Sequence, residues 1–281
     1  MPNEDSIAAT GFIYAATDST SITGAYNGVR AKLEAAGPIG IIAEVNHGMA
    51  AANAGLDLRP TRVIMFGNPK LGTPLMQQNI LAGLDLPQKI VFYQQEDNGV
   101  IVGYNSTEYL ASRHHLTDNG ELTTVGNALK GFVESNVNAR VGDATNLTVD
   151  ENEGIVLNTT KNSVDTIYDR LRAAISGNAN LTIVAELDHS ANAGRVGLTL
   201  PASKLIIFGN PAVGSPFMQG QQSVGIDLPV KMLVYDNGGG TTVAYNAPEW
   251  LAARHGIDGN LPQISMMRKA LENLTNVALG N

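Results

Sequence analysis

The alternation of hydrophobic and polar positions in the first half of the chain predicts a series of short strands and helices. Apolar side chains at Tyr26, Val29 and Leu33 have the spacing of one helix face, and Gly37 and Pro38 follow where that helix would end. The predicted helices are 22–36, 50–56, 73–80, 106–114 and 122–137, and the predicted strands are 11–17, 39–45, 62–66, 89–95 and 100–104. Because strands and helices do not alternate regularly, an α+β fold is favoured over a parallel doubly wound sheet.

The pattern of the first half returns in the second half. Residues 39–93 align without gaps with residues 181–235 at a constant shift of 142, with 23 identities in 55 positions. This predicts two homologous domains, residues 1–140 and 150–281, with the boundary in the polar stretch 143–150. A surface that served a homodimer remains useful after two units are fused, so we expect a monomer whose halves pack as an intrachain pseudo-dimer.

The most distinctive repeated stretch is FGNPKLGTPLMQ, residues 66–77, which returns as FGNPAVGSPFMQ at residues 208–219. Its two glycines are spaced as in a phosphate-binding loop, but Thr-Pro or Ser-Pro follows where that loop needs Lys and Ser or Thr. We therefore exclude nucleotide binding by this motif. The local interpretation is that Asn68 is held extended by the following proline and caps a short helix that begins at Pro69.

These motifs together resemble a known family. IIAEVNH, FGNPKLGTPLMQ, GLDLPQK and GYNSTEYLASRH in the first half, with TIVAELDH, FGNPAVGSPFMQ, GIDLPVK and AYNAPEWLAARH in the second, are similar to the family called domain of unknown function 302. The resemblance implies two α+β domains in tandem with TATA-binding-protein-like topology. It implies no activity.

Composition narrows the possible chemistry. The 281 residues include no cysteine, which excludes disulfides, thiolate metal sites and Cys nucleophiles. The formal charge is −8, so we expect no nucleic acid partner. Apolar runs fall short of the roughly 20 residues of a membrane span, so we expect none. The polar start leaves two compartments open, the cytoplasm or, after removal of an export signal, the cell envelope.

Titratable residues recur in matched pairs and suggest a site. His47 pairs with His189, His114 with His255, and Glu44 with Glu186. We expect ligand-binding residues on the loops or at the seam between repeats, where pockets are common. The candidates are Glu44, His47, Asn68, Tyr104, Arg113, His114, Glu186, His189, Asn210, Tyr245, Arg254 and His255.

Three functions fit these residues. The leading hypothesis is a module that binds a small molecule, with no cofactor. An alternative is an acid–base or metal-assisted enzyme that uses Glu44, His47 and His114 or their second-repeat equivalents, since two imidazoles and one carboxylate can hold Fe(II) or Zn²⁺. The third is a structural or protein-interaction module, for which we would expect a large exposed apolar patch and no polar concave pocket.

Overall fold

In its described residues, the first repeat forms five strands and five α-helices. The computed structural model describes residues 9–18, 20–137, 140–142 and 146–280. The strands are β1 (Phe12–Thr17), β2 (Gly40–Asn46), β3 (Thr61–Gly67), β4 (Gln88–Gln94) and β5 (Val100–Asn105). The helices are α1 (Ile22–Ala35), α2 (His47–Asn53), α3 (Pro69–Gln78), α4 (Thr107–His114) and α5 (Glu121–Val137), and a 3₁₀ helix spans Ile80–Leu84.

The second repeat has the same elements in the same order. Its strands are β6 (Ile155–Thr160), β7 (Thr182–Asp188), β8 (Ser203–Gly209), β9 (Val230–Asp236) and β10 (Thr241–Asn246). Its helices are α6 (Val164–Ser176), α7 (His189–Arg195), α8 (Pro211–Gly220), α9 (Pro248–Arg254) and α10 (Pro262–Leu279), and its 3₁₀ helix spans Gln222–Ile226. The predicted duplication is confirmed element by element.

Each repeat folds into one antiparallel sheet of five strands. The strand order is β1-β5-β4-β3-β2 in the first repeat and β6-β10-β9-β8-β7 in the second. Ile41 pairs with Phe66 and Ala43 with Met65, so one extra residue of β2 forms a bulge, and β7 has the same irregularity between Ile183 and Ala185. The two sheets therefore share topology and local detail, and the predicted α+β class is confirmed.

One face of each sheet is covered by the long helices of its own repeat. In the first repeat, α1 and α5 pack on the sheet through side chains such as Leu33 and Leu129, which contact the cluster that contains Ile64 and Phe92. In the second repeat, α6 and α10 cover the equivalent face. The helical spacing of apolar residues in the sequence marks this layer.

The other face of each sheet is covered by the other repeat. Val63 and Met65 of β3 belong to one buried cluster with Leu205 and Ile207 of β8. Because neighbouring residues of a strand point to opposite faces, a central strand that is apolar at successive positions is buried on both sides. This arrangement explains the continuous apolar runs of β3 and β8.

The 3₁₀ helix of each repeat packs on the sheet of the other repeat. The 3₁₀ helix of the first repeat contacts β8, β9 and β10, and that of the second contacts β3, β4 and β5. A Cβ at Gly225 would lie 3.2 Å from Thr61 and 3.3 Å from Val91 of the other repeat, so glycine permits this close approach. The two halves thus form an intrachain pseudo-dimer with reciprocal contacts.

Most predicted elements of the first repeat lie within one or two residues of the observed ones. The helix predicted at 50–56 is misplaced, because Asn46 caps α2 and the helix begins at His47. The helix predicted at 73–80 begins earlier, at Pro69, and Asn68 caps it as expected. In the predicted boundary, residues 146–150 have no regular structure, and residues 143–145 lie outside the described residues.

Candidate functional site

Two cavities lie where the repeats meet, and they are built from equivalent elements. The first has a volume of about 250 Å³. The first repeat supplies the start of α3, including Asn68, and one side of α5, including Phe132. The second repeat supplies Leu187 of β7 and His189 and Asn192 of α7. Each repeat therefore contributes to the same cavity.

The second cavity reverses these roles and is larger, about 420 Å³. The second repeat supplies Asn210 at the start of α8 and Met266, Met267, Ala270 and Leu271 of α10. The first repeat supplies Val45, His47 and Ala50. Phe132 lines the first cavity, whereas the second is also lined by the polar loop residues Asn178 and Asn180. Each copy of the repeated motif therefore lines a cavity together with the His-bearing helix start of the other repeat.

Asn68 and Asn210 hold the repeated loop in shape. Asn68 Oδ1 accepts a hydrogen bond from the Lys70 N–H at 3.0 Å, and Asn210 Oδ1 accepts from the Ala212 N–H at 2.9 Å. Both asparagines precede a proline at the first helical position, where a missing N–H costs nothing. The motif therefore turns the chain and also places one asparagine side chain at each cavity wall.

His47 and His189 are the first residues of α2 and α7, and both are buried. Burial lowers the pKa of each imidazole to about 4, although nearby backbone of the other repeat, Gly225 and Leu228 for His47 and Gly83 for His189, opposes the shift. The Nε2 atom of each has no hydrogen-bond partner among the described residues. The two histidines are therefore neutral at pH 7 and sit in the seam between repeats.

Glu44 and Glu186 do not lie with these histidines. Glu44 accepts hydrogen bonds from the Tyr26 hydroxyl and from Arg30 Nε of α1, and neither cavity includes it. Glu186 has the equivalent partners Tyr168, at 2.7 Å, and Arg172. Both hydrogen bonds and the arginine favour the ionised form, so the pKa of each glutamate is lowered in spite of partial burial. The predicted acid–base pairing of Glu44 with His47 is not formed, because their side chains belong to different environments.

Arg113 and His114 belong to a buried ionic cluster in the core of the seam. Asp85 Oδ2 accepts from Arg113 Nη1 at 2.8 Å and lies 2.7 Å from His114 Nε2. Arg113 also donates to Asn246 Oδ1 and to the Glu153 carbonyl, both in the second repeat and both at 2.8 Å. This arginine therefore ties its own repeat to the other.

The second repeat makes the reciprocal set of bonds. Arg254 donates to Asp227 within its repeat, and to Asn105 Oδ1 at 2.7 Å and the Thr10 carbonyl at 2.9 Å in the first repeat. His255 Nε2 lies 2.9 Å from Asp227 Oδ2, and burial lowers the pKa of His255. These four candidates lie in the ionic cluster of the seam, and neither cavity includes them.

Tyr104 and Tyr245 do not line the cavities between repeats either. Tyr104 packs in the core beneath α1 and α5, and part of it borders a separate polar groove of the first repeat. Tyr245 packs in the equivalent core of the second repeat. Within the described ranges, no three His, Asp or Glu side chains are grouped so that they could hold a metal ion, so Glu44, His47 and His114 form no ligand set.

Comparison with known proteins identifies the family. The sequence model described as "Domain of unknown function DUF302" matches residues 14–136 and again residues 156–275. The chain belongs to the DUF302 family. The tandem arrangement expected from the duplication is confirmed.

Similar proteins add little to this assignment of two DUF302 domains. The chain is 37% identical over 105 residues to "Fluoride-specific ion channel FluC 1" of Brucella suis biovar 1 (strain 1330), covering 37% of the chain and 41% of that protein. It is equally identical over the same length to "Fluoride-specific ion channel FluC 1" of Brucella abortus biovar 1 (strain 9-941), covering 38% of that protein. The chain thus spans about two fifths of the length of these curated relatives.

A solved DUF302 structure is also similar. The "uncharacterized conserved protein DUF302 from Bacillus stearothermophilus" is 15% identical, with a TM-score of 0.41, and the match covers 45% of this chain and 98% of that one. No helix in the described part of our DUF302 chain is both long and apolar enough to cross a membrane.

Sequence reasoning missed the other members of the ionic cluster. Lys89 and Lys231 are buried, and their Nζ atoms have no hydrogen-bond partner among the described residues. Burial and the neighbouring Lys89 hold the pKa of Lys231 well below its ordinary value. The signal was present, because GLDLPQK and GIDLPVK keep the Asp and the Lys in both DUF302 repeats within a mostly apolar stretch.

Proposed function

We propose that this DUF302 protein is a monomer that binds small, mostly apolar molecules, with one binding site in each of its two cavities. The observation that carries the proposal is the pair of equivalent cavities of about 250 and 420 Å³, each lined by both repeats. Ligand sites are typically concave and mostly apolar, with a few polar groups that orient the ligand. Both cavities have this composition.

The polar groups at the cavity walls support the same proposal. Each cavity contains one asparagine of the repeated loop and one histidine of the other repeat. Ser215 in the second cavity is 1% exposed, and its hydroxyl has no hydrogen-bond partner in the described part of the chain. A buried hydroxyl without a partner is costly, and a ligand would supply the missing bond.

The two alternative functions have less support. An enzyme that uses Glu44 with His47 lacks the required contact, since Glu44 is bonded to Tyr26 and Arg30. For an interaction module we expected a large exposed apolar patch and no polar concave pocket. Of the large hydrophobic side chains that are exposed, Met49 lies on α2, Leu157 on β6 and Met266 on α10, where it borders the second cavity. Because they belong to three different elements, they give the interaction module little support.

The test is calorimetric titration with 2-nonanone, an uncharged probe of suitable size, on the intact chain. Ala128 and Ala270 occupy equivalent positions in α5 and α10 and line the first and second cavity respectively. We expect two sites in the wild type, one in Ala128→Trp and one in Ala270→Trp. Lys269→Trp, an exposed neighbour of Ala270, is the matched control and should keep two.

Two outcomes would contradict the proposal. One is the absence of saturable binding to the wild type. The other is binding that neither cavity-filling tryptophan changes, because the ketone would then occupy another surface.

A further inference from the structure

The amide nitrogens of Asn68 and Asn210 are hydrogen-bond donors without a use in the fold. Each Oδ1 accepts the capping bond from a backbone N–H of its own helix. The Nδ2 of the same amide donates to no described residue. In neither asparagine is this Nδ2 a fully buried atom. Both side chains are cavity walls, so this N–H₂ is a donor available to whatever fills the cavity.

The backbone at the start of the helices offers no further donors. Pro69 has no N–H, the Lys70 N–H is used by the Asn68 side chain, and the N–H groups of Leu71 and Gly72 both donate to the Asn68 carbonyl at 3.0 Å. The second repeat repeats this pattern with Asn210. A phosphate or carboxylate usually needs several converging backbone N–H groups at a helix start, and here they are occupied.

The remaining walls offer no countercharge. Within the described residues, neither cavity includes Asp, Glu, Lys or Arg. The single titratable side chain of each cavity is a buried histidine, whose lowered pKa of about 4 keeps it neutral at pH 7. Transferring an ion into such a cavity would cost its hydration without a compensating pair.

We infer that each cavity takes an uncharged molecule that carries a carbonyl-type oxygen on an apolar body, such as a ketone, aldehyde or ester, and that the Asn68 or Asn210 amide donates to that oxygen. This inference rests on the proposed function and specifies its ligand class. Ser215 and its equivalent Thr73 are buried hydroxyl-bearing residues that line the same two cavities.

The donor role of the asparagine amide can be tested by a substitution that keeps the helix cap. The equivalent helices α2 and α7 are capped by Asn46 and Asp188, whose Oδ1 atoms accept from the N–H three residues later at 3.0 and 2.8 Å. Asparagine and aspartate therefore serve as the same cap in the two repeats. Asn210→Asp should keep the capping bond and replace the donor N–H₂ by a carboxylate oxygen.

The experiment uses 2-nonanone and the Ala128→Trp background, which leaves only the second cavity open. We expect Asn210→Asp in this background to bind the ketone about 10- to 100-fold more weakly, because a donor is lost and an acceptor faces the carbonyl. The reciprocal pair is Asn68→Asp in the Ala270→Trp background. Thermal unfolding of each variant checks that the cap is retained.

A second measurement needs no variant of the asparagine. Nonanoate and 2-aminononane match the ketone in length but are charged at pH 7, and we expect each to bind the wild type at least about tenfold more weakly. If the ketone binds in the cavities while nonanoate binds equally well, or while Asn210→Asp leaves its affinity unchanged, the inference is overturned and the proposed function stands. If no ketone binds at all, the proposed function itself fails.

Discussion

The ionic cluster in the seam and the two cavities beside it differ in how far the repeats have diverged. In the cluster, Asp85, Lys89, Arg113 and His114 have identical counterparts in Asp227, Lys231, Arg254 and His255. The cavity walls combine identical pairs, such as Asn68 and Asn210, with changed pairs, such as Val125 and Met267.

This difference reflects how each group is held. Every member of the cluster is buried, and each arginine has partners in both repeats, so a change on one side leaves polar groups unpaired on the other. The apolar side chains of a cavity wall have no hydrogen-bond partner in the other repeat, so one apolar residue can replace another there at small cost in stability. The ionic cluster is therefore the same in both repeats, whereas part of each cavity wall has changed.

The largest effect should come from breaking the cluster. Arg113→Met leaves Asp85 buried without its guanidinium and removes the donor to Asn246, so we expect a loss of about 3–5 kcal/mol in the free energy of unfolding. Urea denaturation measures it. The matched control is Arg30→Met, whose ion pairs with Glu34 and Glu44 are exposed, and its effect should be far smaller. Equal losses in the two variants would mean that the cluster does not hold the repeats together.

A second effect should appear in acid. Burial lowers the pKa of His47 and His189 from 6.5 to about 4. Between pH 6.5 and pH 4, the unfolded chain therefore binds more protons than the folded one. Stability contributed by the neutral histidines is complete above pH 6.5 and is lost as the pH falls toward 4, by up to about 3 kcal/mol for each residue.

The comparison of wild type with His47→Gln isolates this contribution from the carboxylates, which titrate in both proteins. We expect the slope of unfolding free energy against pH between 6.5 and 4 to decrease in the variant. Parallel curves would show that His47 is hydrated in the folded chain.

The smallest of the three effects should be a gain in stability. Lys231 is buried beside Lys89 without a hydrogen-bond partner in the described structure, so Lys231→Met should raise the free energy of unfolding at pH 7 by about 1–3 kcal/mol. The folded chain holds fewer protons than the unfolded one between the lowered pKa of Lys231 and its ordinary value of 10.5. Wild-type stability should therefore rise with pH through that window, and the rise should shrink in the variant.

Denaturant unfolding from pH 7 to 10 tests this prediction. A destabilised Lys231→Met would show instead that the ammonium stabilises the cluster through Asp85, which lies close enough to favour its charged form.

Local patterns in the sequence were sufficient to predict the framework of each repeat. Helical spacing located α1 and α5, because these helices bury one face on their own sheet. The duplication predicted the pseudo-dimer, and Asn68-Pro69 predicted the cap of α3. In each case the information lies within a few residues of the element, or in the comparison of the two halves.

The composition of the site could not be predicted in this way. His47 and Asn210 line the same cavity only after the second repeat packs on the first, and no local sequence pattern specifies that packing. Asp85 and Lys89 were not among the candidate residues, although both are buried in the folded chain. Glu44, three residues before His47, looked like its partner, but the chain passes from β2 into α2 between them and separates their side chains.

The central claim is that each repeat completes a carbonyl-binding cavity in the other. The most direct measurement is a crystal structure of the whole chain with 4′-bromoacetophenone, whose bromine is located by anomalous scattering. We predict two bromine positions per chain, one in each cavity, with the ketone oxygen about 2.9 Å from Nδ2 of Asn68 or Asn210. Bromine found only on the outer surface, or cavities that stay empty of ketone at saturating concentration, would contradict the claim.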